Sequence, residues 1–326
     1  MRAIVVNELG APEVLKLSEV ELPKVLSNQV QIKVQAISVN FADIKARQGQ
    51  YHGTESGAAF TPGLDCAGEI VEIGSKVTRF KVGQRVMAFP KNGSYAEYVN
   101  ADEDLTFVIP DELNSETAAA SLTVGITAYN VIKKMAHLMP GETILIHAAA
   151  GGIGSTAIQL AKILGASKII GTVSRDEKVQ VAKDFGADHI INYVSGDFVE
   201  EVNRLTNGKG ADVILDTIAG ETFERSINCL ATFGRIISFG HAGSMPGVLK
   251  TMDLHSSCRS VIGYSTGTYR KLRPEFLKES ADNLIELMLQ KKLTIHISKR
   301  YTLAQASDAH AHIESRQSIG KVLLIP

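Results

Sequence analysis

The sequence has few cysteines, no long apolar run and almost no net charge. Its three cysteines, Cys66, Cys229 and Cys258, lie far apart and form no CxxC pair. This spacing excludes a disulfide framework and the common structural zinc motifs, and we expect each thiol to be a small buried apolar residue. No apolar stretch among the 326 residues is long enough to span a membrane, and the first apolar run is too short for a signal peptide. We therefore expect a cytoplasmic protein.

The formal net charge of −1 provides no basic field that would attract nucleic acid or anionic lipid. Lysines and arginines are scattered along the chain, with no run that includes aromatic residues. Nucleic acid and membrane are therefore not expected partners. The composition, 44% hydrophobic and 21% charged, is typical of a globular protein, and the length favours two domains.

The pattern of apolar residues changes after about residue 110. Before that point, short runs rich in Val and Ile alternate with polar residues, which predicts a small β barrel or sandwich. Afterwards, six strand-like runs are mostly separated by helical patterns: TILIHA, SKIIGTVS, HIINY, ADVILDTI, GRIISFG and SVIGYS. This alternation predicts a parallel, doubly wound sheet. The final segment, ending in GKVLLIP, is predicted to be β again and to return to the first domain.

Very small side chains lie between the first of these strands and the helix after it. The segment Ala149-x-Gly151-x-x-Gly154 is a dinucleotide-binding fingerprint with alanine at the first glycine position. A turn without side chains lets a pyrophosphate approach the backbone, and the following helix offers unpaired N–H groups. A glycine turn without a ligand is the alternative interpretation.

The end of the second strand indicates which dinucleotide is bound. NAD-binding proteins usually have an acidic residue there, whereas this chain has Ser174 and Arg175, with Lys178 a turn later. A hydroxyl and two cations suit the 2′-phosphate of NADPH, and Tyr193 could add an O–H from the next loop. The alternative is that Asp176 or Glu177 turns towards the ribose.

Taken together, the chain resembles the zinc-independent quinone oxidoreductases of the medium-chain dehydrogenase/reductase superfamily. The resemblance runs nearly end to end and rests on HAAAGGIG, SVNFADIKARQGQY, TPGLDCAGEIVEIG, SFGHAGS and SRQSIGKVLLIP. It implies an α/β fold in which a doubly wound Rossmann sheet is inserted in a GroES-like β-rich domain, with NADPH in the cleft between the domains. The implied boundaries are 1–121 and 268–326 for the GroES-like domain and 122–267 for the Rossmann domain. A homodimer is also implied, formed through the strand SVIGYS.

The resemblance further implies the site residues. Asn40 and Tyr51 would face the nicotinamide and the substrate as catalytic residues. The implied NADPH contacts are Asn40, Thr127, Ala150, Gly151, Gly152, Ile153, Gly154, Ser174, Arg175, Lys178, Tyr193, Thr217, Phe239, Gly240, His241 and Arg316.

Three positions depart from the family pattern, and a metal site is not expected. Lys45 stands where well-known bacterial relatives have tyrosine, His241 where a small amide is usual, and Tyr264 at an arginine-like position. The catalytic zinc ligands of the related alcohol dehydrogenases would fall at Asn40, Leu64 and Ala120, and none of these can replace Cys or His.

These features predict an NADPH-dependent, zinc-independent quinone oxidoreductase. Without a Lewis acid, hydride transfer to a carbon that is already electron-poor needs mainly positioning and exclusion of water. The alternatives are an NADPH-dependent reductase of enones or 2-alkenals, and a non-enzymatic NADPH-binding protein.

A serine hydrolase is a further alternative. Residues 263–267 read GYSTG, which matches the nucleophile motif GxSxG, and Asp308 with His310 or His312 follows in hydrolase order. That motif requires a helix directly after the strand, and Pro274 with its charged neighbours disfavours a packed helix there.

Overall fold

The computed structural model describes residues 1–50, 59–91, 93–243 and 245–326. Within them lie fifteen strands: β1 (Arg2–Val5), β2 (Lys16–Glu19), β3 (Gln29–Val39), β4 (Asp65–Ile73), β5 (Arg85–Ala88), β6 (Tyr98–Asp102), β7 (Thr106–Val108), β8 (Thr143–Ile146), β9 (Lys168–Val173), β10 (His189–Asn192), β11 (Ala211–Asp216), β12 (Leu230–Ser238), β13 (Ser260–Gly263), β14 (Ile297–Thr302) and β15 (Lys321–Ile325).

The α-helices of the same residues are α1 (Phe41–Arg47), α2 (Ser115–Tyr129), α3 (Gly152–Ile163), α4 (Glu177–Asp184), α5 (Phe198–Leu205), α6 (Gly220–Ser226), α7 (Met252–His255), α8 (Thr266–Leu272), α9 (Glu275–Leu289) and α10 (Ala306–Glu314). A π-helical segment, Asn130–Met135, continues α2. Asn114 caps α2 by accepting the Thr117 N–H at 2.8 Å. Among the residues described, no helix is long and apolar enough to cross a membrane.

The chain forms two compact units. The first comprises Met1–Thr123, Tyr269–Leu289 and Ile295–Pro326, and the second comprises Val124–Thr268 and Gln290–Thr294. The boundaries expected from the sequence, 121 and 267, stay a prediction.

The first unit is built on a β-sheet with strand order β14-β15-β3-β4-β5-β7, in which β6 also pairs with β3. Its core contains the apolar residues that alternate along these strands, such as Val30, Ile32 and Val34 of β3. The C-terminal strand β15 lies antiparallel to β3, with Leu323 opposite Ser38. The predicted return of the tail to the first domain is therefore confirmed.

The second unit contains six parallel strands in the order β10-β9-β8-β11-β12-β13. All six predicted strands are present, and the order reverses direction between β8 and β11, as in a Rossmann fold. The run ETFERSINCLA, residues 221–231, has a composition compatible with a helix, but α6 ends at Ser226 and β12 begins at Leu230. Pairing of β12 with β11 outweighs the local helical preference there.

Two of the three cysteines follow the sequence-based expectation, and a buried histidine lies in the second unit. Cys66 and Cys229 are buried, whereas Cys258 is exposed with a backbone φ of 49°, so the expectation for Cys258 was wrong. His147 is buried, and its two ring nitrogens contact the Thr172 and Ser226 hydroxyls, each at 2.9 Å. Burial lowers the pKa of His147 to about 4, as expected for a neutral structural histidine.

Candidate functional site

The carboxyl ends of the parallel strands define one edge of the sheet in the second unit. Backbone hydrogen bonds prolong the strand pairing past the regular strands: the Ala149 N–H donates to Thr172 O at 2.9 Å, and the Phe239 N–H donates to Asp216 O at 3.0 Å. The loops that follow the strands therefore start at a common edge. Loops after five strands carry predicted NADPH contacts at this edge: Ala150–Gly154 after β8, Ser174–Lys178 after β9, Tyr193 after β10, Thr217 after β11 and Phe239–His241 after β12.

The turn after β8 leaves its backbone open to a ligand. Ala148 has a φ of 54°, and Gly151 precedes α3 without any side-chain cap. The first-turn N–H groups of a helix have no partner inside the helix, so they can bind the oxygens of an anion. The turn lies beside the point where the strand order reverses, which is where parallel α/β sheets bind ligands.

Gly154 is required by the packing of α3 against β8. A Cβ at this position would lie 2.3 Å from Ala148 O and 2.7 Å from Ala149 Cα, both of them backbone atoms. Only glycine lets α3 begin so close to the strand, which keeps the helix N-terminus at the sheet edge. The turn therefore fits the pyrophosphate of a dinucleotide.

The loop after β9 carries the predicted phosphate-binding residues. Ser174 and Lys178 are half-buried and Arg175 is exposed. Tyr193 reaches the same edge through its N–H, which donates to Val173 O at 3.1 Å, and its side chain is exposed. The Asp176 carboxylate accepts a hydrogen bond from Asn192 Nδ2 at 2.7 Å, which draws this acidic group towards β10.

The loops after β11 and β12 are joined through their backbones. The Ala242 N–H donates to Thr217 O at 2.9 Å, and a Cβ at Gly240 would lie 2.5 Å from Thr217 Oγ1. Phe239 is half-buried and His241 is exposed. The buried Asp216, which the sequence analysis missed, accepts the N–H groups of Ile218 and Ala219 and so shapes the turn after β11. Burial raises the pKa of Asp216.

Asn40, in the first unit, belongs to a buried polar network. Its Nδ2 donates to Asp65 Oδ1 at 2.7 Å and to Ser38 O at 3.3 Å, while its Oδ1 accepts from Lys321 Nζ at 2.8 Å. Its backbone N–H donates to Asp43 Oδ2 at 2.8 Å. The Asn40 side chain is therefore held in one orientation by its neighbours.

The charges of this network are strongly perturbed by burial. Desolvation raises the pKa of Asp43 to about 7 and also raises that of Asp65. Desolvation likewise lowers the pKa of Lys321, against the attraction of Asp65. One feature of the sequence indicates this network: Lys321 is the first residue of the otherwise apolar strand KVLLI.

The remaining predicted residues have different placements. Arg316 is exposed just after α10 with a φ of 57°. Thr127 is buried on α2, with its Oγ1 2.8 Å from Thr266 Oγ1. Tyr51 lies outside the described residues. Lys45 is buried, and its Nζ donates to Gln50 Oε1 at 2.8 Å.

The structure bears on two alternative sites, a metal centre and a serine hydrolase site. Within the described part of the chain, no group of three or more His, Cys, Asp and Glu residues is arranged to hold a metal ion. A short helix, α8, follows the GYSTG strand, but it ends at Leu272, before Pro274, and none of its residues is buried. Ser265, however, accepts the Thr268 N–H at 3.2 Å as a helix cap.

His310, one of the two histidines of the hydrolase hypothesis, is accounted for by packing. His310 is buried, and its Nε2 is 2.9 Å from the Tyr95 hydroxyl. Burial, together with the nearby Arg47, lowers the pKa of His310 to about 3. Burial and the contact with Tyr95 explain the position of His310 without any role in hydrolysis.

The fold and the site define a dinucleotide-binding protein with a GroES-like partner domain, and comparison with known proteins agrees. Residues 27–111 match the alcohol dehydrogenase GroES-like domain, and residues 152–283 match the domain described as zinc-binding dehydrogenase. Quinone oxidoreductase from Pseudomonas aeruginosa is 38% identical over 322 residues, with 97% of each chain covered. The chain belongs to the quinone oxidoreductase family of the medium-chain dehydrogenase/reductase superfamily.

Two solved structures give the same fold. The quinone oxidoreductase of Escherichia coli, complexed with NADPH, superposes with a TM-score of 0.93 at 34% identity and covers 100% of both chains. A 2-haloacrylate reductase superposes with a TM-score of 0.87 at 31% identity, covering 100% of this chain and 99% of its own. The predicted Rossmann and GroES-like domains are confirmed.

Proposed function

We propose that this protein is an NADPH-dependent quinone oxidoreductase. One observation carries the proposal: the turn Ala149–Gly154 presents bare backbone and a helix N-terminus beside the strand-order reversal, in a chain of this family. NADPH is the proposed cofactor because Ser174, Arg175 and Lys178 follow β9, where an NAD-binding protein would have a carboxylate. The relative solved with NADPH supports the same choice.

In this proposal, the parts of the cofactor are divided among the residues as follows. Backbone N–H groups of Gly152, Ile153 and Gly154 hold the pyrophosphate, with Ala150 and Gly151 giving it access. Ser174, Arg175, Lys178 and Tyr193 bind the 2′-phosphate. Thr127, Thr217, Phe239, Gly240, His241, Asn40 and Arg316 supply the remaining contacts. When bound, NADPH supplies the hydride, and the protein orients and shields it.

We further propose that no zinc takes part. Among the three positions of zinc ligands in related dehydrogenases, Leu64 and Ala120 offer no donor atom, and Asn40 is already bound to Lys321 and Asp65. Without a metal to stabilise an alkoxide, the acceptor must itself be electron-poor, as a quinone is.

The proton for the reduced acceptor comes from Tyr51 or from water in this proposal. Asn40 Nδ2 donates both of its hydrogen bonds inside the first unit, to Ser38 O and to Asp65. In this proposal Asn40 therefore helps to position the reactants and does not supply the proton. Replacing Tyr51 by Phe tests the acid role: a slower turnover that a solvent isotope effect traces to proton transfer supports it, and full turnover with every acceptor refutes it.

The decisive experiment follows NADPH oxidation at 340 nm with 1,2-naphthoquinone and 9,10-phenanthrenequinone, with NADH in parallel. We expect quinone-dependent oxidation above the enzyme-free blank, and a higher kcat/KM for NADPH than for NADH. Tight NADPH binding without acceleration by any acceptor would instead identify a non-enzymatic NADPH-binding protein and refute the proposal.

An alkene reductase is the second candidate, favoured by the similarity to 2-haloacrylate reductase. Reduction at the β-carbon of an enone needs the same hydride and the same positioning. A panel of enones and 2-alkenals assayed beside the quinones separates the two: the class with the higher kcat/KM is the substrate class.

We also propose a cytoplasmic homodimer. In the described sheet β13 is the last strand of the order and pairs on one side with β12, which leaves a strand edge available to a second copy. Light scattering should give twice the chain mass, and Ile262→Lys on β13 should shift the mass towards the monomer. Cell fractionation checks the location.

A further inference from the structure

Four polar side chains form a chain of hydrogen bonds that ends at Thr127. Thr127 Oγ1 lies 2.8 Å from Thr266 Oγ1, and Thr266 Oγ1 donates to the Tyr264 hydroxyl at 3.2 Å. Asn130 Nδ2 donates to the same hydroxyl at 2.9 Å. Thr127, Asn130 and Tyr264 are buried, and all four residues belong to the second unit. The chain therefore ties α2 to the segment that follows β13.

The number of hydrogens in these hydrogen bonds decides the polarity of Thr127, that is, whether its hydroxyl donates to Thr266 or accepts from it. A threonine hydroxyl has one hydrogen to donate. Thr266 gives its hydrogen to Tyr264, so in the contact between the two threonines the donor is Thr127. The Thr127 oxygen then presents only lone pairs to any other group.

We propose that Thr127 accepts a hydrogen bond from the carboxamide NH2 of the nicotinamide, and that Thr266 and Tyr264 are the positioning residues that fix this polarity. The inference rests on the proposed function, in which Thr127 contacts the cofactor. The carboxamide is the N–H donor at the nicotinamide end of the molecule. Turned the other way, it would place its carbonyl oxygen against an oxygen without a hydrogen, so the carboxamide has one favourable orientation.

This polarity depends on tyrosine at position 264. The family resemblance places an arginine-like residue there, and a guanidinium donates hydrogen bonds but accepts none. Tyr264 instead offers lone pairs that receive the hydrogens of Thr266 and Asn130. Asn130 begins the π-helical segment after α2, a type of helical irregularity that is frequent at functional sites.

Calorimetric binding of two cofactors tests the proposal: NADP+, and its acetylpyridine analogue, in which a methyl group replaces the NH2. Wild type should bind NADP+ more tightly by at least about fivefold, the value of one hydrogen bond. Thr127→Val should remove this preference, and Thr127→Ser, which keeps the hydroxyl, should retain it.

The positioning role has its own variants. In Tyr264→Phe the hydrogen of Thr266 loses its acceptor and turns to Thr127, so the preference for NADP+ should again disappear. Thr266→Val should have the same effect by a second route, should Tyr264→Phe fail to fold. Thermal unfolding and circular dichroism confirm the fold of each variant, and Tyr301→Phe in the first unit is the matched control.

The possible results distinguish failure of the polarity proposal from failure of the proposed function. Equal binding of both cofactors by wild type, or an undiminished preference in Thr127→Val or in a folded Tyr264→Phe or Thr266→Val, overturns the polarity proposal while the proposed function stands. Wild type that binds neither cofactor overturns the proposed function itself.

Discussion

Replacing Gly154 by alanine tests how the dinucleotide site is built. The new Cβ would lie 2.3 Å from Ala148 O, whereas real Cβ atoms essentially never come closer than 3.0 Å to such a neighbour. The helix α3 and the turn after β8 must therefore separate by at least about 0.7 Å. Because the atoms that the new Cβ would meet belong to the backbone, no side-chain rotation can relieve the contact.

The cost can be estimated from two effects. Overpacking of this kind destabilises a protein by about 1–3 kcal/mol. Moving the helix N-terminus away from the pyrophosphate also weakens hydrogen bonds to a charged group, each worth about 1.5–3 kcal/mol. We therefore expect the NADPH dissociation constant to rise on the order of tenfold to a hundredfold. The midpoint temperature of thermal unfolding should fall by several degrees.

Fluorescence titration with NADPH and a thermal melt measure both effects. One alanine variant serves as the control. Gly196→Ala, whose Cβ would lie 3.7 Å from Asn192 O and which is outside the proposed cofactor contacts, should be neutral in both measurements. A Gly154→Ala protein with wild-type affinity and wild-type melting would refute the reasoning.

Three further predictions concern charge and metal. Replacing Lys178 by Ala should weaken NADPH binding about tenfold by loss of a charge-assisted hydrogen bond and leave NADH binding unchanged; equal losses would contradict the 2′-phosphate assignment. The pKa of Asp43 is raised to about 7 in the folded state from an ordinary 3.8. The folded protein thus holds the extra proton, and the Asp43 contribution to stability, complete below about pH 4, is lost as pH rises through 7. Denaturant unfolding of wild type relative to Asp43→Asn should show this loss, and a pH-independent difference would contradict it. Chelation should leave quinone reduction unchanged, with no stoichiometric zinc by mass spectrometry; activity restored only by zinc would contradict the account.

The sheet of the second unit and its phosphate-binding turn could be predicted because their signals are local. Each strand is a short apolar run, and the fingerprint Ala149–Gly154 falls at a strand-to-helix junction. The fixed connection rules of parallel sheets then place the strand ends at one edge. Boundaries were harder: the sequence 221–231 is compatible with a helix, yet tertiary pairing with β11 takes Leu230 into β12.

The surroundings of Asn40 could not be predicted in the same way. Its partner Lys321 is 281 residues away in sequence, and Asp65 is 25 residues away. No periodic pattern connects such residues, and only the fold brings their side chains into contact. The hydrogen-bond direction inferred for Thr127 could not be predicted either, because it depends on Thr266 and Tyr264 from a distant segment.

Isothermal titration of the purified protein with NADPH tests the central claim most directly, because that claim is a dinucleotide bound at the carboxyl edge of the parallel sheet. The account predicts one NADPH bound per chain, more tightly than NADH. Saturating additions of both dinucleotides that release or absorb no heat, with the protein shown to be folded, would contradict it.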